Sequence, residues 1–141
     1  MTLYLDSSSL VKLYVAEPDT DAVRRLVGGA AVVTTSQIAY PETRAALARR
    51  RRERALSADE FATAKRTFDA DWTRYFAVEV TALLCREAGE LAERLRLRGF
   101  DSVHLASFAE VVRTVGVRDA HFSTFDERLA HAGRTLLREL G

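Results

Sequence analysis

The sequence has little of what usually cross-links a small fold or anchors it in a membrane. It contains one cysteine, Cys85, so no disulfide can form within the chain, which is typical of a reducing cytosolic compartment. No apolar run approaches the roughly 20 residues of a membrane-spanning helix. The first apolar run is broken at Asp6, so no signal peptide is predicted. We therefore expect a cytoplasmic protein without a membrane segment.

An excess of charge of one sign is also missing. The formal net charge is only +1 at pH 7, which excludes a strongly basic protein surface as a whole. The distribution is less even, because Lys12 and Lys65 are the only lysines and the other 19 basic residues are arginines. A GC-rich coding sequence and a need for phosphate or carboxylate recognition both explain this bias, since arginine presents a planar fork of donors. Five arginines fall in one short run: Arg49, Arg50, Arg51, Arg52 and Arg54.

The pattern of apolar residues predicts a single α/β domain over residues 1–141. Short apolar runs typical of buried strands occur at 3–5, 30–34, 75–80 and 120–124. Helical patterns separate these runs, the first over Ser8–Ala16, while Thr135–Leu140 fits either a fifth strand or a terminal helix. Strands that alternate with helices favour a parallel sheet of four to five strands with helices on both faces.

Two helices between the second and third predicted strands are expected to form a hairpin. Pro41 places the start of the first near Tyr40, because only the first turn of a helix tolerates proline. The segment Ser57–Glu60 has the pattern of a capping box, which starts the second helix. The run of arginines then lies near the tip of the hairpin. Further along, Thr81 caps a long helix that we expect to end at Gly99.

Four acidic residues occupy equivalent places in this predicted fold. Asp6 and Asp126 follow strands, Glu42 lies on the helix after the second strand, and Asp101 opens a helix. The carboxyl ends of parallel strands meet at one edge of a sheet, so these side chains can converge. Clustered carboxylates repel one another, and a divalent cation removes that repulsion. Hard oxygen ligands suit Mg²⁺ or Mn²⁺ rather than zinc.

Each of these residues also has a purely structural explanation. Asp6 and Asp101 are good helix N-caps. Glu42 fits a first-turn partner of the helix dipole, and Asp126 fits a turn. These explanations remain open, but they do not account for all four residues falling at the same edge. Asp119 precedes its strand and is expected at the opposite edge.

The sequence resembles the PIN-domain ribonucleases, most closely the VapC-type toxins of bacterial toxin-antitoxin pairs. Four stretches carry the resemblance, and together they span nearly the whole chain in the expected order. They are LYLDSSSLVKLYVAEP at Leu3–Pro18, SQIAYPETRAAL at Ser36–Leu47, LRGFDSVHLASF at Leu97–Phe108 and FSTFDERLAHA at Phe122–Ala132. The resemblance implies a single PIN-like domain with a protruding helical hairpin. It also implies metal-dependent hydrolysis of RNA phosphodiester bonds.

The same resemblance implies roles for individual residues. The acidic set that binds Mg²⁺ or Mn²⁺ and carries catalysis would be Asp6, Glu42, Asp101 and Asp126. Ser8 and Thr124 would orient a carboxylate or hydrogen-bond water at the metal. The arginines of the run 49–54 would contact RNA or an antitoxin, or form only an exposed charged turn. The implied partners are an RNA substrate, a VapB-like antitoxin and a second copy of the chain in a homodimer.

Three other interpretations fit the sequence less well. Phosphatases of the haloacid dehalogenase type need an aspartate where this chain has Ser8, and response-regulator receivers need a lysine after a late strand. A PIN-like fold that binds RNA or protein without cleaving is disfavoured by the complete acidic set, yet stays open. His104, one turn after Asp101, is expected to be a packed or surface histidine rather than a ligand.

Overall fold

The structure is a computed structural model and describes all residues, 1–141. Its four strands are β1 (Thr2–Leu5), β2 (Val32–Ser36), β3 (Phe76–Val78) and β4 (Ala120–Ser123). Its helices are α1 (Ser7–Leu10), α2 (Thr20–Gly29), α3 (Ala39–Arg52), α4 (Ala58–Trp72), α5 (Ala82–Leu95), α6 (Gly99–Val115) and α7 (Glu127–Leu140). All strands run parallel in the order β3-β2-β1-β4, which confirms the predicted α/β fold with four strands. None of the helices has the length and apolar character needed to cross a membrane.

The central strand β1 divides the core between the two faces of the sheet. Successive side chains of a strand point to opposite faces. Tyr4 accordingly packs in an apolar cluster with residues of α5, α6 and α7, whereas Leu3 and Leu5 pack against α1, α2, α3 and α4. All three side chains are buried. Both faces of β1 are therefore covered, and its carboxyl end is held rigidly.

Helices α3 and α4 form the predicted hairpin, with an apolar cluster of their own. The cluster joins Leu47 of α3 and Ala64 of α4 to Leu56 in the turn between them and to Val11 and Val15 of the first segment. The α4 helix begins with the predicted capping box. In it, Glu60 N donates to Ser57 Oγ at 3.1 Å and Ser57 N donates to Glu60 Oε1 at 2.8 Å.

Several element boundaries differ from the prediction. The first helix is short and continues only as a 3-10 turn over Val11–Leu13, well before Glu17 and Pro18. Strand β2 extends two residues further than expected, into Ser36, because the hydroxyls of Thr34 and Thr35 donate to carbonyls of β1 and are satisfied while buried. Strands β3 and β4 are shorter than predicted.

The structure corrects the predicted end of α5 and decides between the two alternatives left open for residues 135–140. The prediction that Gly99 ends α5 was wrong: α5 ends at Leu95, Arg96 takes the left-handed conformation with φ 56°, and Gly99 is the first residue of α6. The segment 135–140 is helical, and it completes α7 rather than adding a fifth strand. The α7 helix packs its apolar face on the cluster that contains Tyr4.

Candidate active site

The four acidic residues singled out from the sequence line one cavity at the carboxyl edge of the sheet. The cavity has a volume of about 680 Å³ and is lined by Asp6, Ser7, Ser8, Glu42, Arg98, Gly99, Phe100, Asp101, Val103 and Asp126. Asp119 lies elsewhere, at the opposite edge, where it accepts a hydrogen bond from Thr2 Oγ1 at 2.7 Å. The topology therefore brings together the four carboxylates predicted from the sequence and leaves Asp119 out.

Asp6 is the most enclosed of these carboxylates, with only 3% of its surface exposed. It caps α1, because Ser9 N donates to its Oδ1 at 3.0 Å. Ser8 Oγ donates to the same oxygen at 2.7 Å, and Thr124 Oγ1 donates to Oδ2 at 2.6 Å. Three donors thus hold the carboxylate in one orientation, so the capping and functional interpretations of Asp6 are compatible.

The hydroxyls of Ser8 and Thr124 also tie the ends of β1 and β4 together. Phe125 N donates to Ser8 Oγ at 3.0 Å, and Asp126 N donates to Thr124 Oγ1 at 3.1 Å. Each hydroxyl therefore accepts from the backbone that leads to Asp126 while it donates to Asp6. This network fixes the relative position of two acidic residues that are far apart in the sequence.

Burial raises the pKa of the Asp6 carboxyl above its ordinary value. Desolvation disfavours the charged form, and the hydrogen bonds from Thr124 and Ser8 offset only part of that effect. The fold therefore keeps a carboxylate where its charge is costly. A neighbouring positive charge would stabilise it, which is the electrostatic condition that a cation-binding site provides.

Glu42 is held by a buried histidine. His104 Nε2 lies 2.7 Å from Glu42 Oε1, and His104 Nδ1 lies 2.8 Å from the hydroxyl of Tyr4. A carboxylate only accepts hydrogen bonds, so Nε2 carries the proton. Tyr4 stays a neutral phenol, since complete burial raises its pKa well above the ordinary value. A chain of hydrogen bonds thus runs from the core, through His104, to the oxygen of Glu42.

Asp101 and Asp126 are joined by Arg98, the one basic residue that lines the cavity. Arg98 Nε lies 3.1 Å from Asp101 Oδ2, and Arg98 Nη2 lies 3.3 Å from Asp126 Oδ2. The other oxygen of Asp126 caps α7 by accepting from Leu129 N at 2.9 Å. Asp101 lies inside the first turn of α6, so the expectation that it is the N-cap was wrong.

The chemistry of the donors fits a hard divalent cation. The cavity is lined by four carboxylates and one guanidinium, with no sulfur ligand, so its formal charge is strongly negative. In the conformation described here, no three histidine, cysteine, aspartate or glutamate side chains converge closely enough to hold an ion. Each carboxylate is instead engaged within the chain: Arg98 contacts Asp101 and Asp126, His104 contacts Glu42, and hydroxyls contact Asp6.

The arginines of the run 49–54 lie at the end of α3 and in the turn after it, and they divide into two groups. Arg50 Nη2 binds Glu17 Oε1 at 2.9 Å, Arg49 pairs with Glu53, and Arg51 donates to the Leu56 carbonyl. Arg52 and Arg54 are exposed and make no ion pair or side-chain hydrogen bond within the chain. Only these last two are fully free to bind a partner.

Comparison with known proteins identifies the family. A sequence model of the PIN domain matches residues 3–135. The chain belongs to the PIN-domain family. Ribonuclease VapC45 of Mycobacterium tuberculosis (strain CDC 1551 / Oshkosh) and Ribonuclease VapC49 of the H37Rv strain are each 38% identical to it over 131 residues, which cover 93% of this chain and 88% of theirs. These relatives place the chain in the VapC group of PIN domains.

A solved PIN-domain structure supports the fold. The crystal structure of VapC20 from Mycobacterium tuberculosis, a toxin that cleaves the Sarcin-Ricin loop, matches with a TM-score of 0.66 and 24% identity. The match covers 93% of this chain and 95% of that one. At this identity, the likeness speaks for the shared PIN fold alone.

Two residues of this PIN domain escaped the sequence analysis. His104 was expected to be only a packed or surface side chain, whereas it is buried and also fixes Glu42. Its position three residues after Asp101 on one helix was the available signal, because i and i+3 share a face. Arg98 was given no role from the sequence. Its spacing of three from Asp101 is visible in the sequence, but its contact with Asp126 depends on the tertiary fold.

Proposed function

We propose that this PIN-domain protein is a metal-dependent endoribonuclease and the toxin of a toxin-antitoxin pair. One observation carries the proposal. Asp6 is a buried carboxylate with a raised pKa that shares a cavity with Glu42, Asp101 and Asp126. Helix capping accounts for Asp6 and Asp126 singly, but it does not require four carboxylates to share one cavity. The ribonuclease names of relatives at 38% identity give the reaction class.

In this proposal, Asp6, Glu42, Asp101 and Asp126 hold Mg²⁺ or Mn²⁺. When bound, such an ion supplies activation of the attacking water and neutralises charge on the leaving oxygen. The remaining work is done by the protein. Ser8 and Thr124 orient the Asp6 carboxylate by donating to both of its oxygens. His104 holds one oxygen of Glu42 and leaves Oε2 without a hydrogen-bond partner in the chain.

The proposal extends to location and partners. We treat residues 1–141 as one PIN domain that acts in the cytoplasm on cellular RNA. A VapB-like antitoxin would cover the acidic cavity, and two copies of the chain would form a homodimer. An adjacent gene for a small protein with a DNA-binding head and a disordered tail would support the pairing. Arg52 and Arg54 are the best placed of the arginine run to contact RNA phosphates or the antitoxin.

The test compares cleavage of a structured RNA pool by wild type, Asp6→Asn and Asp101→Asn in Mn²⁺ and in EDTA. Wild type should cleave only with the metal. Each variant should lose at least about a hundredfold in rate, because even groups that merely support a metal ligand cost 10- to 100-fold when removed. Asp119→Asn is the matched control, since it makes the same change at the opposite edge of the sheet.

The result also decides against the non-cleaving alternative. If wild type shows no metal-dependent cleavage above Asp6→Asn and Asp101→Asn, the nuclease proposal is wrong and a PIN-like binding module is favoured. If Asp119→Asn loses as much activity as the two site variants, the loss reflects damage to the sheet rather than to the cavity.

A further inference from the structure

Arg98 occupies the place of a cation between two carboxylates of the acidic cavity. Its guanidinium contacts Asp101 Oδ2 at 3.1 Å and Asp126 Oδ2 at 3.3 Å. No other basic residue lines the cavity. The arginine is thus the only positive charge within the chain that directly offsets these two carboxylates.

The ion pairs of Arg98 with Asp101 and Asp126 are exposed and weak. The Arg98 side chain is 80% exposed, and it has no hydrogen-bond partner other than the two aspartates. Exposed ion pairs of this kind contribute little to stability, because water and salt screen them. A divalent cation attracts both carboxylates more strongly than a single guanidinium does. The side chain can then leave, because it is largely in solvent and no other group of the chain holds it.

A released Arg98 would stand at the rim of the cavity with all of its donors free. The guanidinium presents five N–H groups in a planar fork that matches phosphate oxygens in a bidentate manner. Phosphates are also the groups of RNA that lie nearest to a site of phosphodiester hydrolysis. The same side chain therefore suits two successive ligands, first the carboxylates and then the substrate backbone.

We propose that Arg98 is an exchangeable internal cation of the site: it bridges Asp101 and Asp126 in the metal-free protein, and on binding of a divalent cation it turns outward and binds a phosphate of the RNA. This inference rests on the proposed function. It assigns Arg98 as a substrate-binding residue, on the evidence of its two contacts with Asp101 and Asp126 and of its exposure.

The first experiment measures Mn²⁺ affinity without RNA, by calorimetry or by the electron paramagnetic resonance of free Mn²⁺. Removal of the competing cation in Arg98→Ala should tighten Mn²⁺ binding about three- to tenfold, as expected for the loss of one or two exposed ion pairs. Arg98→Lys keeps the charge and should bind Mn²⁺ close to wild type.

Arg128→Ala is the matched control for this experiment. Arg128 is an exposed arginine in the first turn of α7, two residues after Asp126, and it makes no ion pair, only a hydrogen bond to the Arg96 carbonyl at 3.3 Å. Its removal changes the net charge equally and should leave Mn²⁺ affinity unchanged. If wild type binds Mn²⁺ and Arg98→Ala and Arg128→Ala bind it with equal affinity, the exchange alone is overturned. If wild type binds no Mn²⁺, the exchange and the metal-dependent proposal fail together.

The second experiment measures single-turnover cleavage at saturating Mn²⁺, with the RNA that wild type cleaves best. The protein concentration for half-maximal rate should rise about tenfold in Arg98→Ala, as for the loss of one charge-assisted phosphate contact. The exchange predicts opposite effects in Arg98→Ala: Mn²⁺ binds more tightly and RNA binds more weakly than in wild type. A wild-type half-saturation value in Arg98→Ala would overturn the phosphate role. The Mn²⁺ measurement requires no cleavage, so unchanged Mn²⁺ affinity in Arg98→Ala would leave the nuclease proposal standing.

Discussion

At the scale of single residues, His104 shows how the core reaches the acidic cavity. Its side chain is 1% exposed and belongs to the packing around Tyr4, with the two rings edge to face at 5.9 Å. The same ring donates to Glu42. His104 therefore packs in the core and also positions Glu42. It can do both because its two ring nitrogens point in different directions, Nδ1 to Tyr4 and Nε2 to Glu42.

We predict that His104→Leu weakens Mn²⁺ binding about 10- to 100-fold, the usual cost of removing the partner of a metal-binding carboxylate. It should also destabilise the fold by about 1 to 3 kcal/mol, since the buried Tyr4 hydroxyl loses its partner. In His104→Gln, the side-chain amide can still donate to Glu42. Mn²⁺ titration of the folded variants at a temperature well below unfolding separates the two effects.

The glutamine variant is the control. Recovery of much of the Mn²⁺ affinity in His104→Gln would support positioning through Glu42. If both variants bind Mn²⁺ like wild type and differ only in unfolding free energy, His104 is a core residue without influence on the site.

At the scale of elements, the sequence predicted the helix starts that are set by contacts between residues close together in the chain. The capping box at Ser57, the cap at Thr81 and the proline in the first turn of α3 all lie where expected, because each is a contact within one turn. The end of α5 was misplaced, since Arg96 adopts a positive φ without being a glycine. Strand β2 was predicted two residues too early in the sequence, because its polar end is stabilised only by carbonyls of β1.

The same division applies to the acidic cavity. The four carboxylates could be predicted because strand ends and helix starts share an edge in any parallel sheet. The bridge from Arg98 to Asp126 could not, since it joins α6 to the β4 end through a tertiary contact. Three arginines of the hairpin were likewise indistinguishable by sequence from Arg52 and Arg54 until their intramolecular partners were known.

The hairpin yields the next prediction. Arg52→Gln combined with Arg54→Gln should weaken RNA binding in EDTA and reduce the slope of log affinity against log salt by roughly 1 for each arginine that contacts a phosphate. Arg50 is excluded from this test, because it binds Glu17, which also holds the buried Lys12 at 3.4 Å. EDTA keeps the RNA intact during the titration.

Arg25→Gln with Arg134→Gln is the matched control for the hairpin. Both arginines are exposed on other helices and form no ion pair, so the double variant removes the same net charge. An equal loss of slope in the two double variants would show that only the overall charge matters. An unchanged slope in the hairpin variant would leave the cluster to the antitoxin or to the solvated surface.

At the scale of the whole molecule, the acidic cavity lowers the stability of the folded protein at neutral pH. The folded protein buries the Asp6 carboxyl and raises its pKa, so it binds the proton more tightly than the unfolded chain does. Such a group contributes stability that is fully present below the unfolded pKa and is lost as the pH rises through the folded pKa. At neutral pH, ionised Asp6 therefore costs stability unless a cation compensates it.

We predict that Asp6→Asn raises the unfolding free energy at pH 7 in EDTA, by on the order of 1 kcal/mol, as is usual when a functional site is neutralised. The gain over wild type should vanish in acid and grow as the pH rises through the raised pKa of Asp6.

Mn²⁺ should reverse the order of stability of Asp6→Asn and wild type, since a ligand at 100 times its Kd stabilises the protein that binds it by about 2.7 kcal/mol. Urea titrations with and without Mn²⁺, with Asp119→Asn as control, measure both effects. Lower stability of Asp6→Asn in EDTA would mean that the hydrogen bonds from Ser8 and Thr124 outweigh desolvation, and an equal Mn²⁺ gain in both proteins would place the ion away from Asp6.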